Sequence, residues 1–404
     1  MRPRNLLSLL GAGAVLAGCG GGTHLLTGPT VTEPATTSKP PSQEAQGLGF
    51  PSVATKNTTR VPGSDPTADA AGVALAVYPS VAPGTHPTAV TIAPSSDWQA
   101  AVASAVLMAP PIRAPVLLSG GSELPRATAD ALRALAPTGS GVASGAQVIR
   151  VGSVPAPKGL RAVSVDAAGP YALAGEIDRF VSAALGKSSP DVVIASADDP
   201  TYAMPAAGWA AESGDPVLFV NHSGVPDPTR QALLSHQKPH IYVLGPPTVI
   251  SDGIVRQLGK YGSVKRVGAV GAAANSVAFA EFRDPPCAFA QPCAHVPGSF
   301  GWAMRSPGHG YVLINSTRPL DAAAAAALSS SGDYGPQLLV NDPSTLPRSV
   351  LNFFLDYATP GYTQEGPTAA VYNHGWVIGD QSAISIPVQA EMDSLLEAVP
   401  QGSK

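Results

Sequence analysis

The stretch Pro115-Val116-Leu117-Leu118 decides the fold of this chain, because it occurs three times in nearly the same setting. The second copy is Pro216-Val217-Leu218-Phe219, and the third is Pro336-Gln337-Leu338-Leu339. Each copy is a short apolar run that a polar loop follows, which is typical of a buried parallel strand. The copies begin 101 and 120 residues apart. A repeat of that length has the size of a domain with its own core.

Ala-rich helices and further apolar strands surround the three copies in the same order. Short strands that alternate with helices predict a parallel sheet covered by helices on both faces, with right-handed crossovers. The sequence therefore predicts an α/β fold of three tandem Rossmann-like or flavodoxin-like units with parallel sheets. The flanking strands are expected at 89–93, 147–151, 191–195, 240–245, 311–314 and 376–379.

Composition and internal similarity predict five segments. Residues 1–18 have the features of a signal peptide, and residues 19–57 are rich in Thr, Pro, Ser and Gly, which predicts a disordered tether. Repeat 1 is expected at 58–160, repeat 2 at 161–262 and repeat 3 at 263–404. The third repeat is longer because it contains an insertion around two cysteines.

The N-terminus predicts export and a lipid anchor. Arg2 and Arg4 precede a short apolar stretch that ends in small residues, as in an export signal. The sequence Leu16-Ala17-Gly18-Cys19 resembles the lipobox of bacterial lipoproteins. This resemblance implies cleavage before Cys19, whose thiol then carries diacylglycerol with acyl chains such as palmitate. An ordinary signal peptide with an incidental cysteine is the alternative. The lipoprotein interpretation places the protein on the cell membrane, facing the cell wall or the periplasm.

Cys287 and Cys293 stand close together in a proline-rich insertion. In an exported protein, an isolated pair of cysteines usually forms a disulfide. A metal site is the alternative, but His295 would be only a third ligand. We therefore predict a disulfide that closes a small surface loop.

Charge and composition exclude several classes of protein. The formal net charge is −4, and only 13% of the residues are charged, whereas proteins that bind nucleic acid non-specifically are basic. The eight histidines show no metal-ligand spacing, so we expect no metal and no cofactor. Ser235 and Lys238 have the Ser-x-x-Lys spacing of some acyl-transfer enzymes. They precede Pro239 at a predicted helix end rather than a helix start, so we expect no enzyme activity.

The repeat resembles the cell wall binding repeat 2 family of bacterial surface proteins over about 58–399. The resemblance rests on an Arg-x-x-Gly opening at Arg60, on the three proline-led strands, and on closing strands such as Ile241-Tyr242-Val243-Leu244-Gly245. It departs from the family at Gln337 and in the helix start Asp-Ala-Leu, which is matched in part at Asp97 and at Asp321 but not in repeat 2. The family implies a pseudo-threefold arrangement of three units within one monomer. It also implies noncovalent binding of an anionic cell-wall polymer, with the proline-led strands implicated.

Two interpretations apply to the candidate binding residues. The proline-led strands have the pattern of core strands, whereas the family resemblance implicates them in binding: Pro115, Leu117, Leu118, Pro216, Leu218, Phe219, Pro336, Leu338 and Leu339. Polar loops at the carboxyl ends of these strands are the better place for a ligand, because open α/β sheets bind ligands there. An arginine follows each Leu-Pro or Val-Pro turn at a similar offset: Arg126, Arg230 and Arg348. These arginines could pair with phosphate or carboxylate groups, or they could be solvated helix residues.

The sequence thus predicts a lipid-anchored envelope protein that binds an anionic cell-wall polymer or a peptidoglycan-associated glycan without catalysis. Its expected partners are this polymer and the membrane, and not nucleic acid. The alternative is an exported small-molecule receptor or a degenerate enzyme that uses a cleft between repeats.

Overall fold

The computed structural model describes residues 53–286, 299–332, 334–362, 366 and 370–400. These residues form an α/β fold with three parallel sheets of four strands each, which confirms the predicted fold class. The first sheet contains β3 (Val90–Pro94), β4 (Val116–Ser119), β5 (Val148–Val151) and β6 (Ala162–Val165). The second contains β7 (Asp191–Ser196), β8 (Val217–Val220), β9 (His240–Leu244) and β10 (Ser263–Val267). The third contains β11 (Gly310–Asn315), β12 (Gln337–Val340), β14 (His374–Ile378) and β2 (Thr58–Val61).

Helices and three short strands complete the fold. The short strands are β1 (Val53–Ala54), which extends the third sheet in antiparallel orientation, and the pair β13 (Gly361–Tyr362) and β15 (Val399–Pro400). The helices are α1 (Pro66–Val77), α2 (Trp98–Ser104), α3 (Arg126–Leu135), α4 (Pro170–Leu185), α5 (Pro200–Ala203), α6 (Pro205–Ser213), α7 (Asp227–Ser235), α8 (Asp252–Leu258), α9 (Ala272–Glu281), α10 (Pro319–Ser329), α11 (Arg348–Phe353) and α12 (Ile386–Leu395). A 3₁₀ turn, Ala105–Met108, continues α2.

The three sheets share one strand order. If the strands of each sheet are numbered from the strand that precedes the proline-led strand, every sheet has the order 2-1-3-4, as in β8-β7-β9-β10. This is the order of the first four strands of a flavodoxin-like sheet. In the third sheet the fourth strand is β2, which comes from the N-terminal part of the described chain. The fourth strand of each sheet is contributed by another repeat. Each predicted repeat opens with a strand, and this strand pairs with the last strand of the repeat before it. At the N-terminus, β2 therefore pairs with β14 from the end of the chain.

Helix contacts join the units in cyclic order. The first helix of each unit packs against the helix that follows the first strand of the preceding unit: α4 against α2, α9 against α5, and α1 against α10. In addition, α2 with its 3₁₀ continuation, α6 and α10 contact one another. These helices are rich in alanine, whose small side chain lets backbones approach closely. Most core residues of the three sheets consequently form one continuous apolar cluster.

The end of the predicted tether is structured, which corrects the expectation for residues 53–57. Val53 and Ala54 pair with Arg60 and Thr59. The backbone N–H of Asn57 donates to Asp393 Oδ1 at 2.7 Å, and Lys56 forms an ion pair with Glu397. The contacts with Asp393 in the last helix, α12, and with Glu397 after it were not visible in the sequence, because they join residues more than 300 positions apart.

Candidate functional site

Three polar loops lie at the carboxyl ends of the edge strands β4, β8 and β12, as the sequence predicted. Their most exposed residues are Gly121, Ser122, His222, Ser223, Asn341, Asp342 and Ser344. Two of the loops are closed by local hydrogen bonds: Asn221 and Gly224 exchange backbone bonds, and Asp342 Oδ1 accepts from the Ser344 N–H at 2.7 Å. The loops thus present short hydrogen-bonding segments held in defined turns.

The helix after each loop is fixed to its strand in two of the three units. The Thr128 hydroxyl donates to the Leu118 carbonyl, and the Thr229 hydroxyl donates to the Phe219 carbonyl at 2.7 Å. Both threonines are buried and lie in the first turn of their helices. In the third unit, Val350 stands at this position and packs in the core. The loop and the following helix start are therefore held rigidly at the sheet edge.

The three candidate arginines are exposed at these helix starts, but they are not equivalent. Arg126 and Arg348 are the first residues of α3 and α11, directly after proline. In α7 that position is Asp227, and Arg230 lies three residues later and pairs with it. Arg230 thus lies almost one helical turn further into its helix than Arg126 and Arg348 do in theirs. Arg126 pairs with Asp130 at 3.5 Å, and its side chain is 95% exposed.

The proline-led strands lie in the core. Leu117, Leu118, Phe219, Leu338 and Leu339 are fully buried, and Leu218 is 1% exposed. The three prolines that precede the strands are also buried. A polymer cannot reach these side chains while the protein is folded. The burial matches the core interpretation, in which these strands position the loops.

Each sheet has a topological switch point between its first and third strands, where the strand order reverses. The crevice at the carboxyl ends of these two strands is filled by a side chain from the next unit. Flavodoxin-like sheets usually bind ligands at the carboxyl ends of strands 1 and 3. Here Leu173 from α4, Asn275 from α9 and Asp69 from α1 occupy these three places, each being the fourth residue after the helix N-cap. All three are buried. At the third-sheet junction, Asp69 lies against Gly63, Arg318 and Asp321.

Asp69, Arg318 and Asp321 form a buried charged cluster between repeats 1 and 3. Arg318 Nη2 lies 2.6 Å from Asp69 Oδ2, and Arg318 Nε lies 2.7 Å from Asp321 Oδ2. The Gly63 N–H donates to Asp69 Oδ1 at 2.9 Å. Burial raises the pKa of Asp321 to about 7, against the opposing effect of Arg318. Burial and then Asp321 also raise the pKa of Asp69. One guanidinium therefore holds two carboxyl groups that cannot both ionise easily.

A second arginine position ties the closing loop to the sheet in two of the three sheets. Arg60 on β2 donates to the carbonyls of Gly379, Asp380 and Ser385. Arg266, at the same place on β10, donates to the carbonyls of Gly245 and Ile250 at 2.8 Å. In the first sheet the equivalent residue is Ser164, and Arg150 on the neighbouring strand takes over by donating to the Val154 carbonyl. The Arg-x-x-Gly opening is thus a structural element that ties the closing loop to the sheet.

The helix starts correct one expectation from the family pattern. Asp97 caps α2, and its carboxylate accepts from the Ala100 N–H at 2.9 Å. Asp199 caps α5 in the same way through the Thr201 N–H, so the aspartate that was expected to be missing in repeat 2 is present. In repeat 3 the cap position is Arg318, and Asp321 lies one turn inside α10. The aspartate matched there from sequence is therefore out of register.

The cleft between repeats that the alternative function needs lies at the amino ends of β7 and β8. It has a volume of about 370 Å³ and is lined by residues of three repeats, among them Pro110, Asp215 and Ser299. Asp215 is buried, and burial raises its pKa to about 6. Its carboxylate already accepts from Ser189 Oγ at 2.6 Å and from Trp209 Nε1 at 2.8 Å. This acid is thus engaged by the protein itself.

Other predicted sites are placed as follows. Ser235 donates to the Ala232 carbonyl and Lys238 to the Lys260 carbonyl, so the two side chains are directed to different partners.

Within the described ranges, no group of three or more histidine, cysteine or acidic residues is arranged to hold a metal ion. In the same part of the chain, no helix has the length and apolarity to cross a membrane. Cys19, Cys287 and Cys293 lie outside the described residues, so lipid attachment and the disulfide stay predictions.

The fold is shared with two solved structures. No protein-family model matches this chain, and no curated protein matches it either. The chain is similar to Cwp8 from Clostridium difficile, with a TM-score of 0.62, and to Cwp6 from Clostridium difficile, with a TM-score of 0.61. The sequence identity is 14% in both cases, and 84% of this chain is covered. The similarity covers 52% of Cwp8 and 48% of Cwp6, so the chain spans about half the length of each. At this identity, the similarity shows a common fold.

Neither the charged cluster nor the structural role of the second arginine position was evident from the sequence. Asp69 stands in an ordinary-looking Ala-rich helix, and Arg318 stands where the other repeats have an aspartate cap. A comparison of the repeats with one another would have pointed to the arginine position. Arg60 and Arg266 open two repeats, and a serine stands at this place in the remaining repeat.

Proposed function

We propose that this chain is a non-catalytic envelope protein that binds an anionic cell-wall polymer through its three carboxyl-edge loops. The observation that carries the proposal is the repetition of an exposed polar loop at the same edge of three sheets, followed by a helix start that a buried threonine ties to the strand in two of the three units. The fold similarity to Cwp8 and Cwp6, which are cell wall proteins, supports a cell-wall-associated role. The three switch-point crevices that a small ligand would use are closed by Leu173, Asn275 and Asp69.

The polymer would be engaged by local geometry rather than by net charge. The chain carries a formal net charge of −4, so bulk attraction to an anionic polymer is absent. Loop N–H groups, hydroxyls and the exposed arginines Arg126, Arg230 and Arg348 are the available donors. Three weak contacts on one chain would strengthen one another through effective concentration. If the three units have the pseudo-threefold arrangement that the family implies, these donors are related by its axis.

Combined replacement of Arg126, Arg230 and Arg348 by alanine is expected to abolish retention on purified cell walls, whereas each single change weakens it modestly. The residues are exposed, so the melting temperature should stay unchanged. Co-sedimentation with walls and thermal unfolding measure the two effects.

The matched control is the triple alanine variant of Arg133, Arg179 and Arg256, which are also exposed helix arginines. It removes the same charge from other surfaces and should bind walls as the unaltered protein does. Full retention of the folded Arg126/Arg230/Arg348 variant would eliminate the arginine contribution. Equal loss in both variants would reduce the effect to charge alone.

We also propose that Cys19 carries the lipid anchor, on the basis of its lipobox-like sequence. A Cys19→Ala variant should move from the membrane fraction to the soluble fraction and should not incorporate labelled fatty acid. Fractionation with and without the label measures both effects, and Cys287→Ala serves as the control for loss of a cysteine as such. Wild-type protein that never takes up fatty acid would contradict the anchor.

A further inference from the structure

A groove with an aromatic floor lies at the amino end of the third sheet, far along the strands from the carboxyl-edge loops. Its volume is about 530 Å³. Trp376 and His374 on β14 and Thr59 on β2 form its floor, and Val77, Leu328 and Ser331 belong to its walls. Trp376 is half-buried, and its ring lies 5.1 Å from that of His374.

The last residues of α1, Ala76 and Val77, line the groove, and α1 is shorter than the corresponding helix of the first sheet, α4. The first helix of each unit begins at an equivalent place, with four residues between it and the preceding strand. The helices differ in length, because α4 has 16 residues and α1 has only 12. Four residues of helix correspond to about 6 Å. In the first sheet, Ile149 stands at the position of Trp376 and is fully buried. Where the helix ends early, this position is left open.

The second sheet shows which groups pack against the equivalent position when the covering helix is short. There α9 has only 10 residues, and Tyr242 stands at the position of Trp376, next to Lys265 at the position of Thr59. The ring of Phe300 lies flat on Tyr242, with a centroid distance of 3.5 Å and an angle of 3° between the planes. Asp284 accepts from the Tyr242 hydroxyl at 2.7 Å and pairs with Lys265. The chain itself thus places a flat ring on Tyr242 with hydrogen-bonding groups around it, and a cavity of about 350 Å³ remains beside them.

We infer that the groove at Trp376 binds one pyranose ring of a cell-wall glycan, stacked on the indole. The indole supplies a flat apolar face, as Tyr242 does for Phe300. Thr59 and Ser331 supply hydroxyls to the lining of the groove. Apart from His374, no ionisable residue lines it among those described, which suits a neutral sugar that is apolar on one face and polar at its edge. The inference rests on the proposed wall-binding function and adds a sugar site to it.

The test is titration of the full chain, purified in detergent, with chitotetraose and with maltotetraose by calorimetry. Chitotetraose represents the N-acetylated sugars of peptidoglycan, and maltotetraose represents a wall polysaccharide of plain hexoses. We expect one of the two to bind. Trp376→Ala should weaken binding by roughly tenfold, because stacking on one ring contributes about that much. Trp376→Tyr, which installs the residue of the second sheet, should stay within about threefold of the unaltered protein.

Two further variants separate stacking from stability. Val77→Phe keeps Trp376 but fills the space above it, and it should weaken binding as strongly as Trp376→Ala. Trp98→Ala removes a half-buried tryptophan elsewhere and should leave binding unchanged. Unchanged binding by folded Trp376→Ala or Val77→Phe would overturn the sugar site, as would absence of binding to both oligosaccharides. Wall retention without oligosaccharide binding would reject the groove alone, and oligosaccharide binding without wall retention would reject the wall-binding function alone.

Discussion

Replacement of Arg318 by methionine is expected to destabilise the protein by about 3–5 kcal/mol, because it leaves two buried carboxyl groups without their counter-charge. Arg318 is the cation within hydrogen-bond distance of both Asp69 and Asp321. The cluster joins α1 of the first repeat to α10 of the third, so its loss should loosen the contact between the two ends of the folded chain. Urea unfolding followed by circular dichroism measures the effect.

The control is Arg126→Met, which removes an exposed arginine and should change the stability by less than about 0.5 kcal/mol. A variant that combines Arg318→Met with Asp69→Asn and Asp321→Asn should recover much of the loss, since no unpaired charge remains buried. If Arg318→Met unfolds at the same urea concentration as the unaltered protein, the cluster contributes no net stability.

The raised pKa values of these carboxyl groups predict the direction in which the stability changes with pH. Asp321 has a folded-state pKa of about 7, and the pKa of Asp69 is also raised by burial. The folded state therefore retains protons that the unfolded chain has lost, and stability should fall as the pH rises from about 4 to 7. The slope is at most about 1.4 kcal/mol per pH unit for each proton retained. Asp321→Asn should flatten the profile between about pH 4 and pH 7.

Replacement of Trp209 by alanine is expected to cost about 3–5 kcal/mol, the usual range for a buried tryptophan. Trp209 lies on α6 and is 1% exposed. Its ring meets Phe300 at 5.0 Å and Trp302 at 5.2 Å, both from the third repeat. The substitution therefore opens a cavity at a junction between two repeats. Thermal and urea unfolding should shift together if the repeats unfold cooperatively.

Trp209→Phe separates packing from hydrogen bonding. It keeps an aromatic ring but removes the Nε1–H that donates to the buried Asp215. We expect a smaller loss, about 1–3 kcal/mol, and a further rise in the pKa of Asp215, because one of the hydrogen bonds that stabilise its ionised form is gone. A loss as large as that of the alanine variant would mean that the hydrogen bond, and not the packing, dominates at this site.

The sequence by itself determined the units and their strands. Short apolar runs led by proline predict buried parallel strands, and β4, β8 and β12 lie where Leu117, Phe219 and Leu339 indicated. Local rules are sufficient here, because a strand covered on both faces needs an uninterrupted apolar segment. The polar loops after these strands follow from the same pattern. Gln337 is a polar residue within one of these apolar runs. The structure nevertheless buries it, and its Nε2 donates to the Ala322 carbonyl at 2.8 Å.

The tertiary structure alone decided which sheet each opening strand joins and which groups meet at the junctions. The strand that contains Arg60 pairs with β14, more than 300 residues away, and no local pattern encodes that partner. Asp69 and Arg318 meet because α1 packs against α10, and the depth of the groove at Trp376 depends on where α1 ends relative to that sheet. Such contacts result from packing between units, where burial, charge and helix length act together, whereas a sequence pattern reports only the environment along one element.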